Sequence, residues 1–143
     1  MELPFVRLSR DAALPSVAQP GDAGLDLTAA VDVDVAPGER VPVPTGVAVA
    51  IPDGHAGLVL PRSGLASREG LTLANAPGLI DAGYRGEVIC AVVNLDRERT
   101  VRIRRGDRIA QLVVIATPAV VPAWVEELPG SERGEGGFGS TGR

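Results

Sequence analysis

The chain contains no lysine: its 14 basic residues are all arginines. That excludes a Walker-type phosphate loop, which needs its lysine, and Schiff-base chemistry. A phosphate clamp here has to use arginine, whose planar fork suits phosphate oxygens. Aromatic residues are only 3% of a chain that is 45% hydrophobic, so the core must come from Val, Leu, Ile and Ala. The rings are Phe5, Tyr84, Trp124 and Phe138. Tyr84 and Phe138 stand in Gly-rich, turn-like sequence, where packing gives little reason to spend a scarce ring. The lone cysteine, Cys90, sits in an apolar run and reads as core, and no disulfide can form within one chain. The lone histidine, His55, follows Pro52-Asp53-Gly54 and reads as a solvated turn. One His and one Cys give no basis for a His/Cys zinc site or a Cys–His nucleophile pair. A net charge of −4 argues against nonspecific nucleic-acid binding, which relies on broad basic surfaces. No signal peptide and no membrane-length apolar run is visible, so a soluble, cytoplasmic protein is expected.

What is present is a chain of 143 residues, enough for one domain with a real core, punctuated by 18 glycines and 12 prolines. Strands are predicted at 6–8, 31–35, 41–43, 47–51, 57–60, 71–73, 88–95, 100–103, 108–115 and 120–125. The alternation of Val31, Val33 and Val35, and of Val47, Val49 and Ile51, marks half-buried strands. Many short strands at this spacing predict an all-β fold, a jelly roll or barrel. One short helix is expected over 64–69, capped by Ser63 and ended by Gly70. Residues 1–132 form the body. Residues 133–143 hold five glycines and cannot bury enough surface to offset their ordering entropy, so they are expected to be mobile.

The stretch around which the chemistry gathers is Gly78-Leu79-Ile80-Asp81-Ala82-Gly83-Tyr84-Arg85-Gly86-Glu87. Leu79-Ile80 and Val88–Val93 both read as strand, which predicts a hairpin turning at 81–84 with Gly83 at positive φ. By itself this is an ordinary turn, since Asp and Gly dominate turns for local backbone reasons.

Five segments decide otherwise: AGLDL at 23–27, PRSGLA at 61–66, NAPGLIDAGYRGE at 75–87, GDRIAQL at 106–112 and RGEGGFGST at 133–141. In this order the chain resembles the trimeric deoxyuridine triphosphatases, from Ala23 to Thr141. The resemblance implies a jelly-roll homotrimer that hydrolyses dUTP to dUMP and pyrophosphate with Mg²⁺. Such a reaction keeps uracil out of DNA and supplies dUMP for thymidylate synthesis. It further implies Asp81 as the base that orients the attacking water, and Tyr84 as a gate against the 2′-hydroxyl. Asn75 becomes the uracil reader, helped by the backbone at Gly78 and Ile80. Arg62, Ser63, Gly64 and Gln111 become phosphate contacts. Asp26 holds the water shell of the magnesium. Arg133, Gly139, Ser140 and Thr141 close a lid on the γ-phosphate while Phe138 stacks on the base. Uracil offers an N3–H donor and an O4 acceptor and cytosine inverts both, so each mismatched buried group costs about 1–3 kcal/mol.

Two other readings compete. A dCTP deaminase of the same fold needs a carboxylate on the strand after the hairpin, and 88–95 has none. A nucleotide-sensing regulator would use the same pocket with the lid as its switch. The full set of catalytic positions favours the hydrolase.

Overall fold

The computed structural model describes residues 1–136. The strands are β1 (Phe5–Arg7), β2 (Leu25–Thr28), β3 (Val33–Val35), β4 (Arg40–Val49), β5 (His55–Pro61), β6 (Leu71–Leu73), β7 (Gly78–Asp81), β8 (Glu87–Asn94), β9 (Val101–Ile103) and β10 (Arg108–Ala116). One helix, α1 (Ser63–Glu69), lies between β5 and β6. The strands form a sheet in the order β1-β4-β8-β6, a second in the order β2-β10-β5-β7, and a β3-β9 ribbon, all antiparallel. This is the all-β jelly-roll architecture that the strand pattern predicts, with its one short helix.

Alternation places the core. On β8, Val88, Cys90, Val92 and Asn94 point inward while Ile89 is exposed. They meet Leu27 of β2, Val43 and Val49 of β4, Val59 of β5, Ile103 of β9 and Leu112 of β10. Burying each such aliphatic side chain is worth about 1.5–3 kcal/mol. Among the described residues no aromatic is buried; Phe5 only packs against the core from its edge. The one buried amide, Asn94, donates through Nδ2 to Val35 O (2.9 Å) and Arg99 O (2.8 Å) and accepts from Asp96 N (2.9 Å). It thereby ties the turn between β8 and β9 to the β3-β9 ribbon.

Several expectations change. The strands foreseen at 41–43 and 47–51 are one strand, β4, interrupted by a bulge between Pro44 and Ala48. Gly46 turns that bulge at φ +71, and a Cβ there would stand 2.8 Å from that of Ala12. Val31 and Asp32 precede the ribbon strand rather than joining it. The segment 120–125 forms no strand; Val120, Val121, Trp124 and Val125 are exposed and pair with nothing among the described residues. Ser63 is the first helical residue rather than the cap: Arg62 occupies the cap position with extended backbone, and its side chain makes no capping bond to the helix. Gly70 ends the helix in the left-handed conformation, as expected. The predicted hairpin is absent. β7 pairs with β5 in one sheet, while β8 pairs with β4 and β6 in the other, so 81–87 is a crossing between sheets. Gly83 is not among the positive-φ glycines.

Candidate active site

The crossing from β7 to β8 opens a cavity between the two sheets. It has a volume of about 180 Å³ and is lined by Val59, Leu73, Asn75, Gly78, Ile80, Tyr84 and Cys90, among others. Local bonds fix the crossing. Tyr84 N donates to Asp81 O (3.0 Å), and Arg85 Nη1 donates to Ala82 O (2.6 Å) and Tyr84 O (2.8 Å). The Tyr84 hydroxyl donates to Glu87 O (3.0 Å). Glu87 in turn accepts from Gly46 N through Oε1 (2.8 Å), linking the crossing to the β4 bulge. Asn75 is exposed in the loop after β6 and makes no side-chain hydrogen bond among the described residues, so its amide is free for a ligand. Asp81 ends β7, exposed, with no described cation paired to it. At the cavity floor burial pushes the Cys90 thiol up to about 12, which keeps it protonated and inert.

A second, polar cavity of about 460 Å³ gathers Asp22, Gly24, Asp26, Arg62, Ser63, Gly64 and Gln111. The sheet order explains how residues this far apart in sequence meet. β10 lies between β2 and β5, and its Gln111 stands opposite Asp26 on one side and Leu60 on the other. Arg62 and Ser63 follow directly from the end of β5. The Asp26 side chain, 14% exposed, is held by two guanidiniums: Arg62 Nε at 3.3 Å from Oδ1 and Arg108 Nη1 at 3.0 Å from Oδ2. Arg62 Nη1 also donates to Arg108 O (3.3 Å). Gln111 Nε2 donates to Pro61 O (3.2 Å). Its other face lies over Gly24, where a Cβ would be 2.5 Å from Oε1.

The structure thus brings Asp26, Arg62, Ser63, Gly64 and Gln111 together, and separately Asn75, Gly78, Ile80 and Tyr84. The two cavities share no lining residue. Arg133 is exposed, and among the described residues its side chain donates only to Gly136 O (2.8 Å). Phe138, Gly139, Ser140 and Thr141 lie outside the described residues. Sequence reasoning passed over Arg108, although it stands inside GDRIAQL; a cation three residues before Gln111, on a strand beside Asp26, was the available signal. Among the described residues no group of three or more His, Cys, Asp or Glu could cage a metal ion.

Comparison with known proteins places this geometry in a family. Residues 10–142 match the dUTPase family model. The deoxyuridine 5′-triphosphate nucleotidohydrolase of Streptomyces coelicolor is 58% identical over 142 residues, covering 99% of this chain and 78% of that protein. The Corynebacterium glutamicum protein of the same name is 54% identical over 139 residues, covering 97% and 93%. Among solved structures, the Staphylococcus bacteriophage 80alpha dUTPase with dUpNHpp superposes with a TM-score of 0.92 at 35% identity, covering 99% of both chains. A mutant dUTPase from phage phi11 of S. aureus, whose structure reveals the coordination of a structural Mg(II) ion, gives 0.84 at 30% identity, covering 91% of this chain and 100% of that one. With the fold, the order of its five segments and full-length relatives in agreement, the chain belongs to the dUTPase family.

Proposed function

We propose that the protein hydrolyses dUTP to dUMP and pyrophosphate, with uracil and deoxyribose in the cavity between β7 and β8 and the triphosphate against the polar cavity on β2, β10 and β5. The observation that supports this is the sheet order, which gathers Asp26, Gln111 and Arg62-Ser63 along one polar wall. Arg62 and Ser63 bind phosphate oxygens, joined by the Gln111 amide. When triphosphate enters, Arg62 exchanges its bond to Asp26 for one to phosphate, whose oxygens its planar fork can meet with two parallel N–H bonds. Asp81 takes the proton of the water that attacks the α-phosphorus. Positioning and charge stabilisation supply most of the catalysis in such a displacement. Asn75 and the backbone at Gly78 and Ile80 read the uracil edge, and Tyr84 covers the sugar where a 2′-hydroxyl would stand. Arg133, Phe138, Gly139, Ser140 and Thr141 close over the nucleotide.

Magnesium fits the donor set. Mg²⁺ keeps several waters and binds chiefly through phosphates, so Asp26 alone suffices to hold its water shell. When bound, the ion neutralises charge on the phosphate oxygens. The working form is a homotrimer in the cytoplasm with sites at subunit boundaries. Two observations support the trimer: the separate cavities of one chain, and the exposed Val120, Val121, Trp124, Val125 and Leu128, which need a surface to cover them.

Pyrophosphate release from dUTP, UTP, dTTP and dCTP tests the reading. Turnover of dUTP alone is expected, without ammonia release from dCTP; comparable turnover of UTP would sink it. Mixing Asp81→Asn subunits with subunits lacking 133–143, then refolding them together, tests shared sites. Activity returns if the β7–β8 crossing and the lid of one site come from different chains, and stays absent if they come from one.

A further inference from the structure

The glycines near the site are of two kinds. Gly46 and Gly70 take left-handed φ, where any side chain would be strained. Gly86 does not: its backbone lies outside the left-handed region, so conformation gives no reason for glycine there. Its surroundings do. A Cβ on Gly86 would stand 2.6 Å from Tyr84 Cζ and 3.1 Å from Cε2, and would run into the hydroxyl as well. The ring of Tyr84 lies down on the bare backbone of Gly86. Its hydroxyl is tethered one residue further on, to Glu87 O (3.0 Å). Glu87 is itself pinned, since its carboxylate accepts from Gly46 N (2.8 Å) in the β4 bulge. Tyr84 is 45% exposed, so contacts from below largely set the height of its ring.

We propose that Gly86 is a specificity-determining position for this reaction: by carrying no side chain it seats the Tyr84 ring, anchored through Glu87, at the height that excludes a 2′-hydroxyl. This rests on the reading of Tyr84 as the sugar gate. The atoms nearest a methyl at Gly86 all belong to the end of a half-exposed side chain, which moves aside at little cost in stability. The gate, however, loses its position. Gly86 touches no substrate and acts through Tyr84 as a positioning residue.

The measurement is kcat/KM for dUTP divided by that for UTP, in wild type, Gly86→Ala, Tyr84→Ala and the double variant. In Gly86→Ala the ratio is expected to fall about tenfold or more, the size of effect that a methyl-scale misfit gives in a specificity pocket. Melting temperature should stay near that of wild type. In the Tyr84→Ala background the same substitution should change the ratio less than about twofold, because residues acting through one contact are not additive. Since Tyr84 is the only tyrosine, selective isotope labelling gives one set of ring signals, and these should shift in Gly86→Ala. An unchanged ratio in Gly86→Ala overturns the proposal, as does an equal effect with and without the ring. An unchanged ratio in Tyr84→Ala removes the sugar-gate reading itself, and the seat with it. If Gly86→Ala does not assemble, Tyr84→Phe carries the test by removing only the tether: the ratio should fall several-fold, and no change overturns the anchor.

Discussion

Replacing Asn94 by alanine should be among the most damaging single changes in the body of this protein. Asn94 is 0% exposed and makes three hydrogen bonds, at 2.8, 2.9 and 2.9 Å. Each bond is worth about 1 kcal/mol net, so the loss of all three should cost about 3 kcal/mol. For a domain of this size that corresponds to roughly 10 °C in melting temperature. Thermal unfolding should be compared at one protein concentration, because assembly couples to folding. Asn94→Asp separates bonding from packing. It is nearly isosteric and keeps the acceptor for Asp96 N, but it turns a carboxylate oxygen toward two carbonyls. If the amide acts through hydrogen bonds, Asp is at least as harmful as Ala. A stable Asn94→Asp protein would refute the reasoning and leave shape as the cause.

Asp81→Asn should preserve nucleotide binding and cut kcat by about 10²–10⁴-fold, the usual range for removing a positioned base; single-turnover assays with a separate binding titration read both, and near-normal kcat would move the base role elsewhere. Gly24→Ala should force Gln111 off Pro61 O without backbone strain, since Gly24 also lies outside the left-handed region; loss of the phosphate contact proposed for that amide should lower kcat/KM for dUTP about tenfold with little change in melting, and full activity would remove Gln111 from the phosphate site. Asp96 is held at about 2 by the Glu98 and Arg99 backbone N–H groups and then by the Arg99 side chain. A lowered carboxylate pKa stabilises the fold above the unfolded value of 3.8 and loses that contribution as pH falls through about 2; the stability gap between wild type and Asp96→Asn should therefore be constant at neutral pH and shrink across that window. Cys90 should react with thiol reagents only after unfolding, and rapid labelling of the native protein would contradict its burial.

Local chemistry written in the sequence settled a good deal. The lack of lysine leaves arginine as the one basic side chain a phosphate clamp could use, the scarcity of rings forces an aliphatic core, and Gly70 had to end the helix because only it enters the left-handed region cheaply. The order of the five segments carried the family. Periodicity, however, reports which face of a strand is buried and says nothing about which strand lies beside it. Leu79-Ile80 and Val88–Val93 therefore read as hairpin partners although the fold assigns them to different sheets. For the same reason only the tertiary structure could set Gln111 opposite Asp26, 85 positions away (111 − 26), and give that carboxylate two arginine partners. Gly86 shows the limit most plainly. A glycine with unremarkable backbone looks like any turn residue until the Tyr84 ring is seen lying across it. Composition and pattern are properties of neighbours in the chain, while pairing, register and the seat of a ring belong to neighbours in space.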